Sequence, residues 1–230
     1  MIPYERLGLS WLGNATIRVE SGETIAYIDP TRSADLDRYD DNEADLVCVS
    51  HGHHYDSDAI RAVANGSATV VLFDGIDVHR LGDGMEPPAT LPFEIRSVDA
   101  ESDIAVGDAI VRTTAAYNDP AGPHVGQNGE PYHPEGRGCG FHVTLNGVSV
   151  YYPGDTDVLD GHEHLDVDVF CPPIGGVCTM DRHEAADLAE AMAPDLVVPL
   201  LYDTFDETEA TLEAFAADIE SRGLSVALDL

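Results

Sequence analysis

Hydrophobic and polar residues alternate with a period of two through most of the first half of the chain, a pattern that predicts short strands. The first of these segments are "LGLSWLG", "ATIRVES" and "TIAYIDP", and "DLVCVS" follows a polar loop from Thr31 to Ala44. A helix "AIRAVA", capped by Ser57 or Asp58 and closed by Gly66, then leads to the buried strand "ATVVLFD". These last segments predict one β-α-β unit.

The middle of the chain continues the strand pattern after a predicted short helix near "IDVHRL". The segments "PFEIRSVDA", "DIAVGD" and "AIVRTTAAYN" alternate again, and "CGFHVTLNG" and "VSVYYPGD" form a predicted hairpin around Asn146-Gly147. Between them, a loop rich in glycine and proline runs from Asp119 to Gly138. Loops of this length inside a compact domain are usually functional, so we expect it to contribute to a site.

Strands and helices alternate in the last third. A helix "RHEAADLAEAM" carries a capping box of Asp181 and Glu184, and a helix "DETEATLEAFAADIES" ends at Gly223. Strands are predicted at "VDVFCPP", "DLVVPLL" and "SVALDL". The whole pattern predicts an α/β (α+β) fold in a single domain over residues 1–230, either two sheets with helices outside both or one three-layer sheet.

The charge of the chain indicates the salt concentration in which the protein folds. The formal net charge is -32, with 43 acidic residues against 11 basic ones, and every basic residue is arginine. Such self-repulsion is tolerable where the screening length falls to about 3 Å at 1 M salt, which predicts a halophilic cytoplasmic protein. A polyanionic surface also makes nucleic acids and anionic membranes poor partners, and no apolar run is long enough to span a membrane. The composition leaves a homo-oligomer open.

The stretch "VSHGHHYDSD" directly follows the apolar run "ADLVCV". His51 and His53 are separated by one residue, a spacing that lets two imidazoles converge on one cation. The alternative interpretation is a solvated turn and helix cap. His54 is predicted to be a spectator unless the loop is shifted by one residue.

A second group of candidates follows the later strands. Asp155 in "YYPGDTDV" lies at a predicted strand end, where sites cluster, although it could also be a turn or cap residue. The long loop adds Asn118, His124 and His133. Arg137 in that loop could hold a phosphate or carboxylate; the alternative is an ordinary surface ion pair.

The order of these motifs, from HxH through GDTD to "PLLYDT", resembles the metallo-β-lactamase fold over most of the chain. Within it the chain is most similar to the small cytosolic hydrolases that include the ascorbate-6-phosphate lactonase. The resemblance implies a four-layer αβ/βα sandwich with a metal site at the edge between its two sheets. It also implies a divalent cation, commonly zinc, that activates water for hydrolysis.

The resemblance carries over incompletely at the first motif. The family pattern HxHxDH matches at His51 and His53, but Tyr55 and Asp56 stand where the pattern has its aspartate and last histidine. A shift of one residue would instead place Asp56 in the role of the aspartate and Ser57 in that of the histidine. The part of the motif that would hold a second ion is therefore interrupted.

The later ligand positions are also altered. Asn118 stands at the position of the next family histidine, and His133 is a candidate replacement from the loop. Asp155 matches the bridging aspartate, whereas Leu201 replaces the final histidine and cannot bind a cation. We therefore expect one zinc or other divalent cation per chain, or none. The resulting site prediction is His51, His53, His133 and Asp155 for the metal, Asp56 and Asp155 for catalysis, and Asn118 and Arg137 for the substrate.

These residues predict a metal-dependent hydrolase of a small cytosolic ester, lactone or phosphate-bearing metabolite. The alternative is a degenerate, non-catalytic member of the fold that binds a ligand or partner without hydrolysis, which Leu201 and Tyr55 favour. A nuclease of the same fold is the weaker third reading, because the chain lacks a basic surface.

Overall fold

Two mixed β-sheets form the centre of the structure, a computed structural model that describes residues 1–22, 24–77, 79, 81–82, 84–201 and 212–228. The first sheet has the strand order β1-β2-β3-β4-β5-β6-β7. Its strands are antiparallel from β1 to β4 and parallel from β4 to β7. The strands are β1 (Ile2–Tyr4), β2 (Leu7–Trp11), β3 (Ile17–Ser21), β4 (Thr24–Ile28), β5 (Ala44–Val49), β6 (Ala64–Phe73) and β7 (Glu94–Val98).

The second sheet has the order β13-β12-β11-β10-β9-β8. It is antiparallel from β8 to β11 and parallel from β11 to β13. The predicted hairpin between β10 and β11 is confirmed: Asn146 and Gly147 have φ angles of 51° and 80°, as a tight turn between right-twisted strands requires. The strands are β8 (Asp103–Val106), β9 (Ala109–Ala115), β10 (Cys139–Leu145), β11 (Val148–Tyr152), β12 (Val169–Phe170) and β13 (Leu196–Val197).

Three helices complete the layers over the described residues: α1 (Ser57–Val63), α2 (Arg182–Met192) and α3 (Leu212–Ser221). The largest buried cluster joins residues of both sheets and of α1. A second cluster joins the other face of the second sheet to α2 and α3. The result is the predicted four-layer αβ/βα sandwich, in which α1 packs on the first sheet and α2 and α3 pack on the second. This explains why a central strand such as β5 is buried along nearly its whole length.

The predicted start and end of α1 are wrong. Asp56, rather than Ser57 or Asp58, is its N-cap, because the Asp56 side chain accepts hydrogen bonds from the backbone N–H groups of Asp58 and Ala59. The helix ends at Val63, and Gly66 lies inside β6. By contrast, the bounds of α2 and its capping box of Asp181 and Glu184 are confirmed.

Near the C-terminus, the predicted strand "SVALDL" is wrong over the described residues, where Val226 makes only an isolated parallel bridge with Val197. The helix predicted over residues 206–221 is confirmed from Leu212 onward, and residues 206–211 lie outside the described part. The helix predicted near "IDVHRL" also falls partly outside it. No helix among the described residues is long and apolar enough to cross a membrane.

Candidate metal centre

The carboxyl ends of strands from both sheets meet at one edge of the sandwich. His51 follows β5 of the first sheet, and Asp155 follows β11 of the second. An antiparallel bridge between His51 and Gly138 joins the two sheets at this point, and the Cys139 N–H donates to the Ser50 carbonyl at 3.1 Å. The fold thus brings together residues that are about 100 positions apart in sequence.

The imidazoles of this edge converge on one carboxylate oxygen. Asp155 Oδ2 lies 3.3 Å from His133 Nε2, 3.5 Å from His51 Nε2 and 3.8 Å from His54 Nε2. His51, His53 and His133 each also offer a ring nitrogen within 4.8 Å of the other two. Ligand bonds of about 2.0–2.1 Å in a tetrahedral zinc site separate neighbouring ligand atoms by roughly 3.3 Å. Asp155 and the imidazoles of His51 and His133 are therefore close to ligand spacing, and a ring nitrogen of His53 lies within 4.8 Å of both imidazoles.

Two buried atoms in this group have no hydrogen-bond partner, His51 Nε2 and Asp155 Oδ1. Buried polar atoms are almost always satisfied, and leaving one without a partner costs about 1–3 kcal/mol. A divalent cation would satisfy His51 Nε2, and a water molecule beside it would satisfy Asp155 Oδ1. Imidazole with carboxylate is a donor set that zinc accepts. The residues present fit the predicted metal.

The side chain of His51 is held in the form that binds a metal. Its Nδ1 lies 2.9 Å from Ser50 Oγ, and Ser50 Oγ donates its own hydrogen to Asp29 Oδ2. Ser50 Oγ must therefore accept from His51 Nδ1–H, which leaves the Nε2 lone pair facing the site. Burial, assisted by the neighbouring His54, lowers the pKa of His51 to about 3, so the ring is neutral. Such partners behind a ligand fix its orientation.

His133 reaches the site from the long loop and is fixed in the same way. Its Nδ1 lies 3.1 Å from the Cys178 carbonyl oxygen, which can only accept, so Nδ1 carries the hydrogen and Nε2 faces Asp155. His53 is the exposed member of the group and lies at the mouth of the site. Burial and the neighbouring His133 lower the pKa of His53, which favours its neutral form.

The prediction that His54 is a spectator is wrong. Its ring is buried, Nδ1 lies 2.8 Å from Asp29 Oδ2, and Nε2 faces Asp155. Burial opposes a charge on this ring, but the carboxylates of Asp155 and Asp29 outweigh it and raise the pKa of His54 to about 9. His54 is therefore a cation held between two carboxylates. The sequence signal that could have found Asp29 is its place at the end of the buried strand β4, the same signal that pointed to Asp155.

On the side of the site where the family resemblance places a second ion, two positions of the family pattern carry residues that cannot bind a metal. Leu201, with a left-handed backbone of φ 57°, lines a cavity of about 240 Å³ together with His54 and Asp155. Tyr55 is buried away from this cavity, and its hydroxyl donates to the Glu86 carbonyl at 2.6 Å. Neither residue offers a metal ligand.

Asp56 is occupied elsewhere. Besides capping α1, its carboxylate accepts from the backbone N–H and the Nε of Arg32, both at 3.0 Å. It lines neither cavity at the site. These contacts give Asp56 a structural role and do not support the catalytic role predicted for it.

Asn118 does not face the substrate side either. Its side chain is fully buried, and its amide binds the backbone of His133 and Cys178 and the carboxylate of Asp157. The predicted contact of Asn118 with substrate is therefore corrected: all of these hydrogen bonds are internal to the protein.

Arg137 does reach the substrate side. It lines a cavity of about 300 Å³ whose wall includes His51, His53, His133 and Asp155. Arg137 is exposed, and among the described residues no carboxylate pairs with its guanidinium. Arginines elsewhere in the described part of the chain form ion pairs with carboxylates, among them Arg18, Arg32, Arg61, Arg96, Arg112 and Arg222.

Comparison with known proteins shows the family to which the chain belongs. Residues 8–201 match the sequence model of the beta-lactamase superfamily domain. A UPF0173 metal-dependent hydrolase of Thermococcus kodakarensis is 30% identical over 225 residues, which cover 90% of this chain and 89% of that protein. The chain belongs to the UPF0173 metal-dependent hydrolase family. A second UPF0173 metal-dependent hydrolase, from Methanopyrus kandleri, is 29% identical over 226 residues and covers 95% of this chain and 94% of its own length.

The solved structures agree on the fold of this family member. A metallo hydrolase from the archaeon Ignicoccus hospitalis superposes with a TM-score of 0.69 at 21% identity, covering 96% of this chain and 94% of that chain. The predicted metallo-β-lactamase fold and the predicted class of metal-dependent hydrolase are confirmed. The halophilic origin, the lactonase-like branch and the identity of the metal stay predictions.

Proposed function

We propose that this family member is a cytoplasmic hydrolase of a small anionic ester or lactone that uses one zinc ion held by His51, His53, His133 and Asp155. The observation that carries the proposal is the convergence of imidazole nitrogens on Asp155 at the wall of a 300 Å³ cavity. Membership of a metal-dependent hydrolase family supports the reaction class.

A divalent cation bound to these residues supplies a Lewis acid and makes water a nucleophile at neutral pH. Asp155 contributes a carboxylate that can accept a proton from this water. Burial opposes its ionisation, but the facing imidazoles of His54 and His51 outweigh this and lower the pKa of Asp155. Because Oδ1 has no donor among the protein groups, it is available to orient the attacking water and to receive its proton.

The single ion follows from the residues on the other side of Asp155. There, the His54 cation lies 3.8 Å from Asp155 Oδ2, and Leu201 contributes an apolar wall. The positive charge of His54 repels a second divalent ion. Leu201 offers no atom that could bind one. We therefore propose one metal per chain.

The substrate class rests on Arg137 at the 300 Å³ cavity. Because no carboxylate among the described residues pairs with it, this guanidinium suits a carboxylate or phosphate of a substrate, which it can bind with two parallel hydrogen bonds. An ester or lactone of a phosphorylated or carboxylated metabolite would meet both the arginine and the metal. This agrees with the sequence resemblance to the ascorbate-6-phosphate lactonase branch.

The test is zinc content and hydrolysis measured together. Protein purified in high salt, stripped with a chelator and reloaded should retain about one zinc ion per chain and cleave small carboxylate- or phosphate-bearing esters. His133→Ala should weaken zinc binding at least about tenfold and abolish cleavage, because it removes a ligand. His164→Ala is the matched control, since that side chain is 81% exposed and lies outside the site.

Three results would argue against the proposal. Less than about a tenth of a zinc ion per wild-type chain would remove its basis, since three good ligands normally hold zinc well. Two zinc ions per chain would contradict the single-ion site. One zinc ion with no hydrolysis of any ester tested would support the alternative of a non-catalytic, ligand-binding member of the fold.

A further inference from the structure

The long loop contains a buried polar network directly behind the ligand His133. At its centre is Asn118, the residue that stands where the family resemblance places a metal-binding histidine. The exposed fractions of Asn118, His124 and Asp157 are 0%, 5% and 6%, so all three side chains are buried. None of the three lines the cavities at the metal centre. Their role therefore depends on the protein groups to which they are hydrogen-bonded.

Asn118 binds both backbone groups of His133. The Asn118 N–H donates to the His133 carbonyl at 2.8 Å, and the His133 N–H donates to Asn118 Oδ1 at 2.8 Å. The two residues are 15 positions apart, so this pair of bonds closes the whole loop between them. Without it, the backbone of the loop would regain conformational freedom.

The amide of Asn118 also shares an anchor with the His133 ring. Asn118 Nδ2 donates to the Cys178 carbonyl at 3.0 Å, and His133 Nδ1 donates to the same oxygen at 3.1 Å. The ring of His133 binds this carbonyl directly, and its backbone is tied to the same carbonyl through Asn118. These contacts restrict the orientation of the His133 ring.

Asp157 supports Asn118 from behind. Its Oδ1 accepts from Asn118 Nδ2 at 2.8 Å and from His124 Nδ1, and its Oδ2 accepts from the Asp119 N–H at 2.8 Å. The His124 carbonyl in turn accepts from the N–H of Tyr132, the residue before His133, at 3.2 Å. Every polar group of the Asn118 amide therefore has a partner.

We propose that Asn118 is a positioning residue that carries the replacement ligand His133 into the metal site. The ligand lost at position 118 is resupplied from the loop, and the asparagine that replaced it holds the new ligand in place. This inference rests on the proposed metal site. Partners one shell behind a metal ligand typically contribute 10–100-fold to metal affinity, which sets the size of the expected effect.

The experiment compares zinc and cobalt binding in four variants of the full chain: Asn118→Ala, His133→Ala, the double variant and the control Asn128→Ala. Asn128 is an exposed asparagine in the same loop, and its side chain accepts a hydrogen bond from the Glu130 N–H. Zinc affinity is measured by competition with a chelator, and the ligand set by the visible absorption of the cobalt-loaded protein.

We expect Asn118→Ala to weaken zinc binding 10–100-fold and to change the cobalt spectrum toward that of His133→Ala. Asn128→Ala should match the wild type. In the His133→Ala background, removing Asn118 should cause no further loss of zinc affinity, because the ligand that it positions is already gone. A residue that merely stabilised the fold would weaken binding equally in both backgrounds.

Circular dichroism of the metal-free variants shows whether they fold. If Asn118→Ala does not, Asn118→Asp gives the same test: it keeps an acceptor for the His133 N–H but places a carboxylate against Asp157 Oδ1, and we expect a similar loss of zinc affinity.

Wild-type affinity in the Asn118 variants, or an undiminished loss in the His133→Ala background, would overturn the inference and leave the proposed function standing. Absence of zinc from the wild type would overturn both. Zinc binding that responds as expected, with no ester hydrolysed, would count against the proposed function alone.

Discussion

His51 and His133 each commit one ring nitrogen to the protein and present the other to the site. Nδ1 of His51 donates to Ser50, and Nδ1 of His133 donates to the Cys178 carbonyl. Asp155 is ionised and keeps Oδ1 without a protein donor. Because these tautomers and orientations are set before a cation arrives, binding requires little reorganisation.

Arg137 is the residue for which the structure supports a contact with substrate. We expect Arg137→Gln to raise KM at least about tenfold for an activated ester of succinic acid, whose free carboxylate the guanidinium would bind. The same ester with that carboxylate methylated should show unchanged kinetics, and kcat should change little for either. Steady-state kinetics at the lowest salt that keeps the protein folded would measure this, since salt screens an exposed charge.

The matched control is Arg182→Gln, because Arg182 lines neither cavity at the site. Equal losses on the charged and the methylated ester would show that Arg137 supports the fold or the metal rather than a substrate anion.

At the scale of elements, the site depends on loops that leave neighbouring strand ends and are tied to one another. Asp29, at the end of β4, accepts from the Ser50 N–H at 2.7 Å and from His54 Nδ1 at 2.8 Å. Both partners belong to the loop after β5. Strand β5 pairs with β4 in parallel. The Asp29–His54 pair therefore locks two adjacent strands at the edge that carries the metal ligands.

This lock should make the stability of the metal-free protein depend on pH. The pKa of His54 in the folded protein is raised from 6.5 to about 9, because Asp155 and Asp29 outweigh its burial. A raised pKa contributes stability that is complete below about pH 6.5 and is lost as the pH rises through about 9. With a chelator present, Tm should therefore fall between these two pH values.

His54→Gln should remove that decline, whereas His164→Gln, a change at an exposed position, should retain it. Thermal unfolding followed by circular dichroism in both variants provides the measurement. A wild-type Tm that is constant from pH 6.5 to 9 would contradict the assignment of a charged His54.

At the scale of the whole molecule, the surface is dominated by negative charge, whereas the site itself is built from imidazoles around one carboxylate. The net charge of -32 repels itself most strongly in the compact state. The ion pairs of the described arginines offset only part of this, because most are exposed and exposed pairs each contribute about 1 kcal/mol or less. We expect screening by salt to offset more of it.

We therefore expect Tm to rise with potassium chloride, as the screening length falls from about 10 Å at 0.1 M to about 3 Å at 1 M. A gain of about 2 kcal/mol would raise Tm by roughly 4–8 °C in a chain of this size. Sucrose at the same osmolality is the control, since it does not screen charge. Equal Tm in dilute and concentrated salt would contradict the expectation.

Most of the fold was predictable because its elements depend on neighbours a few residues away. The two-residue alternation located the strands, Asn146-Gly147 located a hairpin, and the Asp181–Glu184 box located the start of α2. The strand predicted at "SVALDL" failed over the described residues because a strand exists only where a partner strand is available, and there only Val226 finds one.

By itself, the sequence determined which residue types were available at the strand ends, and with them the candidate ligands His51, His53, His133 and Asp155. Only the tertiary structure decided the roles of their neighbours. His54 pairs with Asp29 across 25 positions, and Asn118 binds Asp157 across 39 and His133 across 15. Such contacts arise when two sheets meet at one edge, so no local pattern records them. The same packing that brings the ligands together turned a predicted spectator into a buried cation and a predicted substrate contact into the support of a ligand.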